Sequence, residues 1–266
     1  MGRWSDTATW TGDGLRREVF FFPSGGVELY GSLYASAAPT REFGVVVCGS
    51  WGAEADRSDP MAHDIALATA RLGGAGLVFH YPGFGDSYGD LAAVTTDALV
   101  TAAADAAAEA ARRSAATEWL LAGYTFGASI ACLARPLVDA RGLLLLQPAL
   151  RPSAYFERLT RRAGPRGPGA GKARIAFGYP IPERIVDRGA VADAAVEAAL
   201  AEYQGGGAAI RYEAPVDQAP FPLPETLEQI AVPGRWRFGA RYQHELLAAA
   251  TEWLASCPIG AAEAAP

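Results

Sequence analysis

The chain has 266 residues, of which 50% are hydrophobic, and a formal net charge of -6 at pH 7. This composition allows a large buried core, and it lacks the basic excess typical of nucleic-acid-binding proteins. No apolar run is long enough to span a membrane, and the N-terminus does not read as a secretory signal. We therefore expect a cytoplasmic protein with no nucleic-acid partner and no membrane span.

The cysteines and histidines are few and widely spaced. Cys48, Cys132 and Cys257 are odd in number, and two of them lie inside apolar runs, which indicates buried free thiols. No histidine pair has the spacing of metal ligands. The glycine-rich stretch YPGFGD lacks the third glycine of a dinucleotide-binding fingerprint. The sequence thus predicts neither a metal nor a cofactor.

The first 150 residues alternate between apolar strand-like runs and helix-like runs. Two strands around a Ser-Gly-Gly turn come first, and buried strands then alternate with helices, one of which has Thr95 or Thr96 as a possible cap. In chain order, the segments are strands at 17–36, a strand at 43–50, a helix at 61–76, a strand from 76, a helix at 95–115, a strand at 118–124, a helix from 125 and a strand at 142–150.

This alternation predicts an α/β fold: a mostly parallel sheet, with helices on both faces, preceded by an antiparallel hairpin. In such sheets ligands bind beyond the carboxyl ends of the strands. The loops after Cys48, Phe79 and Tyr124 all lie there.

The segment 151–174 differs in character, because it is rich in glycine and proline and strongly basic. It contains one acid, Glu157, and seven basic residues: Arg151, Arg158, Arg161, Arg162, Arg166, Lys172 and Arg174. We predict a basic cap or lid at 151–190 within a single domain of residues 1–266. The positive charge of this segment either belongs to a solvated loop or serves to attract an anionic or carrier-bound acyl substrate.

The remainder of the chain offers fewer patterns. RIAFGYP at 174–180, AAIRYEAP at 208–215 and GRWRFG at 234–239 are typical of strands. Helices are predicted at 191–207, which ends in glycines, and at 245–257.

Four stretches together resemble the α/β-hydrolases. The hairpin at 20–33 is similar to the opening strands, VVVCGSWGAEADRS at 45–58 to the loop that helps form the oxyanion hole, and FHYPGFGDSYGD at 79–90 to a glycine-rich turn. GYTFGAS at 123–129 corresponds to the nucleophile elbow. Within that superfamily the chain is most similar to the serine-aminopeptidase-like branch, which includes the exosortase-associated hydrolases. The resemblance covers 17–150 and implies the α/β-hydrolase fold.

The elbow carries Thr125 where the resemblance implies serine, and His80 replaces an aspartate of the glycine-rich turn. A threonine keeps the hydroxyl, but its β-branch is disfavoured in the strained turn. Thr125 is therefore interpreted either as a hindered nucleophile or as a packed hydroxyl. Ser129 also lies in a Gly-x-Ser-x-Ala frame, but it falls inside the following helix.

The resemblance implies a base, an acid that orients it and two oxyanion donors. His244, just before the last helix, is the candidate base, or else a surface histidine at a helix start. Asp217 is the candidate acid. Asp187 is the alternative if RIAFGYP is the corresponding strand, and either one could instead be a solvated carboxylate.

Backbone N–H groups of Trp51 and Phe126 are the candidate oxyanion donors, and both side chains would also fit an ordinary aromatic core. The resulting prediction is an enzyme that acts on an ester, thioester or related acyl substrate. The alternative is a non-hydrolytic member or pseudoenzyme that binds or rearranges a small molecule without a covalent acyl intermediate.

Overall fold

A computed structural model describes residues 7–161, 174–214, 222–235 and 243–257. The strands of these residues are β1 (Ala8–Gly12), β2 (Leu15–Ser24), β3 (Val27–Ser36), β4 (Phe43–Cys48), β5 (Ala75–Phe79), β6 (Glu118–Tyr124), β7 (Gly142–Leu146), β8 (Arg174–Ala176), β9 (Tyr179–Ile181), β10 (Gly206–Ala214) and β11 (Leu227–Arg235). The helices are α1 (Ala53–Arg71), α2 (Thr96–Arg113), α3 (Phe126–Val138), α4 (Pro152–Arg161), α5 (Glu183–Asp187), α6 (Gly189–Ala201) and α7 (His244–Ser256), with a short 3-10 turn at Leu91–Ala93.

Nine strands form one sheet in the order β1-β2-β3-β5-β4-β6-β7-β10-β11. The first three strands are antiparallel, β3 pairs antiparallel with β5, and the pairs from β5 to β11 are parallel. From β4 the chain moves first to β5 on one side and then to β6 on the other. The strand order thus reverses between β4 and β6, which is where such sheets bind ligands.

The core lies on both faces of this sheet because its central strands are apolar throughout. All residues of β4, β5 and β7 are buried. One face packs against α2 and α3, through side chains such as Leu99 and Ile130. The other packs against α1 and α7, through side chains such as Ile65 and Leu254. The predicted fold class is thereby confirmed.

Several boundaries differ from the sequence-based expectation. Helix α1 begins at Ala53 and runs through Pro60, whereas we expected a start after that proline. A proline inside a helix removes one backbone hydrogen bond, and here the buried face formed by Glu54, Ala55 and Ser58 packs well enough to keep the preceding turns helical. Part of the basic segment forms α4, while 162–173 lie outside the described residues.

Two of the strands predicted after residue 150 also differ from those in the structure. RIAFGYP contributes β8 and β9, but these form a separate two-stranded antiparallel sheet and not a strand of the main sheet. Strand β11 runs from Leu227 to Arg235, so only its last two residues overlap the strand expected at 234–239. Residues 236–242 lie outside the described part. The three cysteines are free and buried, as the sequence indicated for two of them.

Helix α2 offers a simple test of the cap assignment. Thr95, and not Thr96, is the N-cap residue, and its Oγ1 accepts a hydrogen bond from the N–H of Ala98 at 3.2 Å. Thr95→Ala should lower the free energy of unfolding by about 1 kcal/mol, equivalent to a fall of about 2–4 °C in melting temperature. Thr96→Ala is the matched control, and an equal effect of both substitutions would contradict the assignment.

Candidate active site

The elbow between β6 and α3 has the backbone geometry of a sharp strand-to-helix turn. Thr125 has φ 47° and ψ -111°, a conformation rare for a β-branched residue. Three backbone hydrogen bonds fix it. Thr125 N–H donates to Leu146 O at 3.0 Å, and Thr125 O accepts from the N–H groups of Ala128 at 3.1 Å and Ala149 at 3.0 Å. The surrounding structure therefore imposes the strained conformation.

Two glycines allow this turn to pack closely. A Cβ on Gly123 would lie 2.5 Å from Ala128 Cα, and a Cβ on Gly127 would lie 2.1 Å from Cys48 O. The second contact shows that the first turn of α3 lies directly against the loop after β4. The elbow and the proposed oxyanion loop are thus neighbours.

The hydroxyl of Thr125 belongs to a buried hydroxyl–carboxylate cluster formed by Ser50, Glu54, Thr125 and Tyr155. Oε2 of Glu54 accepts hydrogen bonds from Thr125 Oγ1 at 2.6 Å, Ser50 Oγ at 2.6 Å and Tyr155 OH at 2.8 Å. Ser50 Oγ also lies within hydrogen-bonding distance of Thr125 Oγ1, and it lies 3.2 Å from Tyr155 OH. Three hydroxyls therefore converge on one carboxylate oxygen.

The cluster is almost fully shielded from solvent, since Glu54 is 3% exposed and Thr125 2% exposed. Burial raises the pKa of Tyr155 well above its ordinary value, and the charge of Glu54 raises it further. Tyr155 therefore remains a protonated hydrogen-bond donor at neutral pH. Within the described part of the chain, Oε1 of Glu54 is buried without a hydrogen-bond partner.

Aromatic side chains cover the cluster. Tyr155 stacks on Phe126 at a centroid distance of 5.4 Å, and Phe156 meets Phe126 edge-on at 4.9 Å. Trp51 packs against Phe156 at 5.9 Å, and its indole N–H donates to Pro180 O at 3.3 Å. Helix α4 and strand β9 thus lie over the elbow.

A narrow cleft of about 10 Å³, enough for about one water molecule, opens between the loop after β4 and the covering elements α4, β8 and β9. Glu54 and Trp51 line it on one side, and Leu159, Phe177 and Tyr179 line it on the other. A water molecule in this cleft would lie against Glu54, the residue that binds the Thr125 hydroxyl. The neighbouring thiol of Cys48 is not a competing nucleophile, because burial raises its pKa to about 12.

Among the described residues, the side chain of the predicted base, His244, makes no hydrogen bond to Thr125. His244 is the first residue of α7 and is exposed. Its neighbour Gln243 donates through Nε2 to Tyr124 OH at 2.6 Å, so this helix begins next to the end of β6. Among the hydrogen bonds between described residues, those of the Thr125 hydroxyl go to Ser50 and Glu54. The base role of His244 stays a prediction.

The structure describes only one of the two candidate acids, Asp187. Asp217 lies outside the described residues. Asp187 is the exposed last residue of α5, and the strands before it belong to the small separate sheet. The condition that made Asp187 an alternative is therefore not met. Ser129 lies inside α3, and its hydroxyl donates to Ala149 O at 2.6 Å.

His80 retains a structural role in the glycine-rich turn despite replacing an aspartate. Its Nδ1 accepts from the N–H of Asp86 at 3.1 Å, and its Nε2 lies 3.5 Å from Asp59. The first bond closes the turn much as a carboxylate oxygen would, because both are acceptors of a backbone N–H. The substitution therefore leaves the turn intact.

Glu54 and Tyr155 are the site residues that the sequence did not reveal. Both are separated from Thr125 in the chain, by 71 positions for Glu54. One signal was available: Glu54 lies next to Ala55 and four positions before Ser58, on what becomes the buried face of α1. A carboxylate on the buried face of a helix needs hydrogen-bond donors, and the elbow supplies one.

In the ranges that the structure covers, no helix is long and apolar enough to cross a membrane. Those same ranges hold no cluster of three or more histidine, cysteine or acidic side chains suited to a metal ion.

Comparison with solved structures identifies the fold. The chain is similar to Est1E from Butyrivibrio proteoclasticus, solved with bound ferulic acid, at 18% identity and a TM-score of 0.66 over 89% of this chain and 96% of that one. It is also similar to an alpha-beta serine hydrolase homologue from Coxiella burnetii, at 14% identity and a TM-score of 0.59 over 90% of this chain and 96% of that one.

A third similar structure is the haloalkane dehalogenase DatA from Agrobacterium tumefaciens C58, at 16% identity and a TM-score of 0.59 over 92% of this chain and 98% of that one. No protein-family model matches the sequence, and no curated protein does. At these identities the similarity establishes the α/β-hydrolase fold alone. Only the geometry of the site bears on the activity.

Proposed function

We propose that this α/β-hydrolase-fold chain is an enzyme that cleaves a small ester or thioester, with Thr125 as the nucleophile. One observation carries the proposal: the Thr125 hydroxyl is held in a strained strand-to-helix turn and donates to a carboxylate at 2.6 Å. Strained backbone of this kind persists mainly where function requires it. A hydroxyl bonded to a proton acceptor is the arrangement that nucleophilic catalysis needs.

The proposal has two further parts, the oxyanion donors and the base. Backbone N–H groups of Trp51 and Phe126 would stabilise the oxyanion, and the contact of Gly127 with the loop after β4 brings those two segments together. His244, oriented by Asp217, is the base that the resemblance implies.

We propose further that residues 151–190 cap the site and favour an anionic or carrier-bound acyl group. The Arg158 guanidinium lies 5.4 Å from the ring of Tyr155, which belongs to the cluster, and Arg174 is exposed at the start of β8. Arg161 is paired with Glu157 at 2.8 Å, which reduces its contribution. Positive charge on α4 therefore lies near the cleft.

A second candidate function is binding or rearrangement of a small molecule without a covalent intermediate. It is favoured by the 2% exposure of Thr125 and by the hydrogen bonds that occupy its hydroxyl. An acyl substrate would have to displace Ser50 or the covering aromatic side chains to reach this oxygen.

Covalent labelling distinguishes the two candidates. Phenylmethylsulfonyl fluoride reacts with an activated hydroxyl, so we expect a single adduct on the protein that peptide mass spectrometry locates at Thr125. Thr125→Val, which preserves the shape of the side chain and its β-branch, should abolish the adduct and the hydrolysis of p-nitrophenyl butyrate. Hydrolysis of this ester by the valine variant at the wild-type rate would exclude Thr125 as the nucleophile. If wild type forms no adduct and does not hydrolyse the ester, the non-covalent candidate replaces the proposal.

A further inference from the structure

Glu54 occupies the position at the elbow where a proton acceptor is required. It lies in the first turn of α1, and the loop after β4 brings it to the Thr125 hydroxyl, whose Oγ1 lies 2.6 Å from Glu54 Oε2. This distance is within the range for a general base and the proton that it removes. At 3% exposure, Glu54 is shielded from bulk water.

Ser50 and Tyr155 orient this carboxylate. Both donate to Oε2, at 2.6 and 2.8 Å, and so hold that oxygen against Thr125. The other oxygen, Oε1, has no hydrogen-bond partner among the described residues, although Glu54 lines the cleft. A buried carboxylate oxygen without a donor is costly in a purely structural cluster, and such groups are retained where they have a catalytic role.

From this geometry we infer that Glu54 is the catalytic base that receives the proton of Thr125, in place of the imidazole that the resemblance implies. The inference rests on the proposed function. The Thr125 proton moves to Glu54 Oε2 as Thr125 Oγ1 bonds to the acyl carbon. The carbonyl electron pair moves onto its oxygen, and collapse of the tetrahedral intermediate expels the alcohol or thiol with the proton from Glu54.

Water completes the cycle. It attacks the acyl carbon of the threonine ester and gives one proton to Glu54. The bond from the acyl carbon to Thr125 Oγ1 then breaks, the carboxylic acid departs and the proton on Glu54 returns to Oγ1. Atoms and electrons balance without any co-reactant besides water.

The test compares Glu54→Gln with Glu54→Asp in the full chain. Glutamine can still accept the three hydroxyls but is not basic, so kcat for p-nitrophenyl butyrate and the rate of sulfonylation at Thr125 should each fall by about a hundredfold or more. KM and the melting temperature should change little. Aspartate keeps a basic carboxylate, although one methylene shorter, and should retain more activity than glutamine.

Asp97→Asn is the matched control, because Asp97 likewise lies in the first turn of a helix, α2, but is exposed. The inference is overturned if Glu54→Gln keeps kcat within threefold of wild type, or if the glutamine and aspartate variants lose equal activity. It is also overturned if His244→Asn lowers kcat a hundredfold and Glu54→Gln does not. Equal sulfonylation of Thr125 in wild type and Glu54→Gln would remove this inference alone, whereas no sulfonylation of wild type would remove the proposed function as well.

Discussion

Thr125→Ser is expected to raise kcat for p-nitrophenyl butyrate about tenfold. The methyl group of Thr125 lies on a β-carbon at φ 47°, in a residue that is 2% exposed. Removing it frees the side-chain rotamer and opens the path of attack, while the hydroxyl can still donate to Glu54. A gain of about 1.4 kcal/mol in transition-state stabilisation corresponds to this tenfold change.

Thr125→Val provides the opposite limit in the same kinetic assay. It has no hydroxyl, and loss of a nucleophile commonly lowers kcat by a factor on the order of a thousand or more. The three proteins should therefore rank as serine, threonine and valine in decreasing order of kcat. A serine variant no faster than wild type would mean that the methyl group does not limit the reaction. In that case the closed cluster, and not the β-branch, controls access.

The sequence predicted the first 150 residues well because their elements are set by local patterns. Short continuous apolar runs such as Phe43–Cys48 and Gly142–Leu146 are typical of buried strands of a parallel sheet, and the glycines at 123 and 127 mark the elbow. The small β8–β9 sheet was misassigned because three-residue strands carry almost no periodicity. Only the tertiary structure shows that they pair with each other.

The candidate site was predicted only in part, because side-chain partners are set by tertiary contacts. Thr125 was found from its motif, whereas its acceptor Glu54 lies in a stretch interpreted as a backbone oxyanion loop. Tyr155 lies in a segment interpreted as a basic cap or lid, and only the tertiary structure shows that α4 places its hydroxyl on Glu54. Hydrogen bonds between residues about a hundred positions apart leave no spacing signal in one sequence.

Gly127→Ala is expected to destabilise the fold by about 3 kcal/mol, near the upper end of the usual cost of overpacking. The new Cβ would lie 2.1 Å from Cys48 O and 2.4 Å from Gly49 O. Both contacts are with backbone at the end of a buried central strand, which cannot move as a flexible side chain could. We expect a fall in melting temperature of about 6–12 °C by calorimetry.

Gly206→Ala is the matched control for this substitution, because a Cβ there would meet no atom within 4 Å. It should leave the melting temperature nearly unchanged. Relief of the clash at Gly127 requires α3 to move away from the loop after β4, and this movement separates Thr125 from Ser50 and Glu54. Any Gly127→Ala protein that remains folded should therefore also lose most of its esterase activity. A variant with the wild-type melting temperature would show that α3 does not approach this loop so closely, and the hydroxyl–carboxylate cluster would then lose its support.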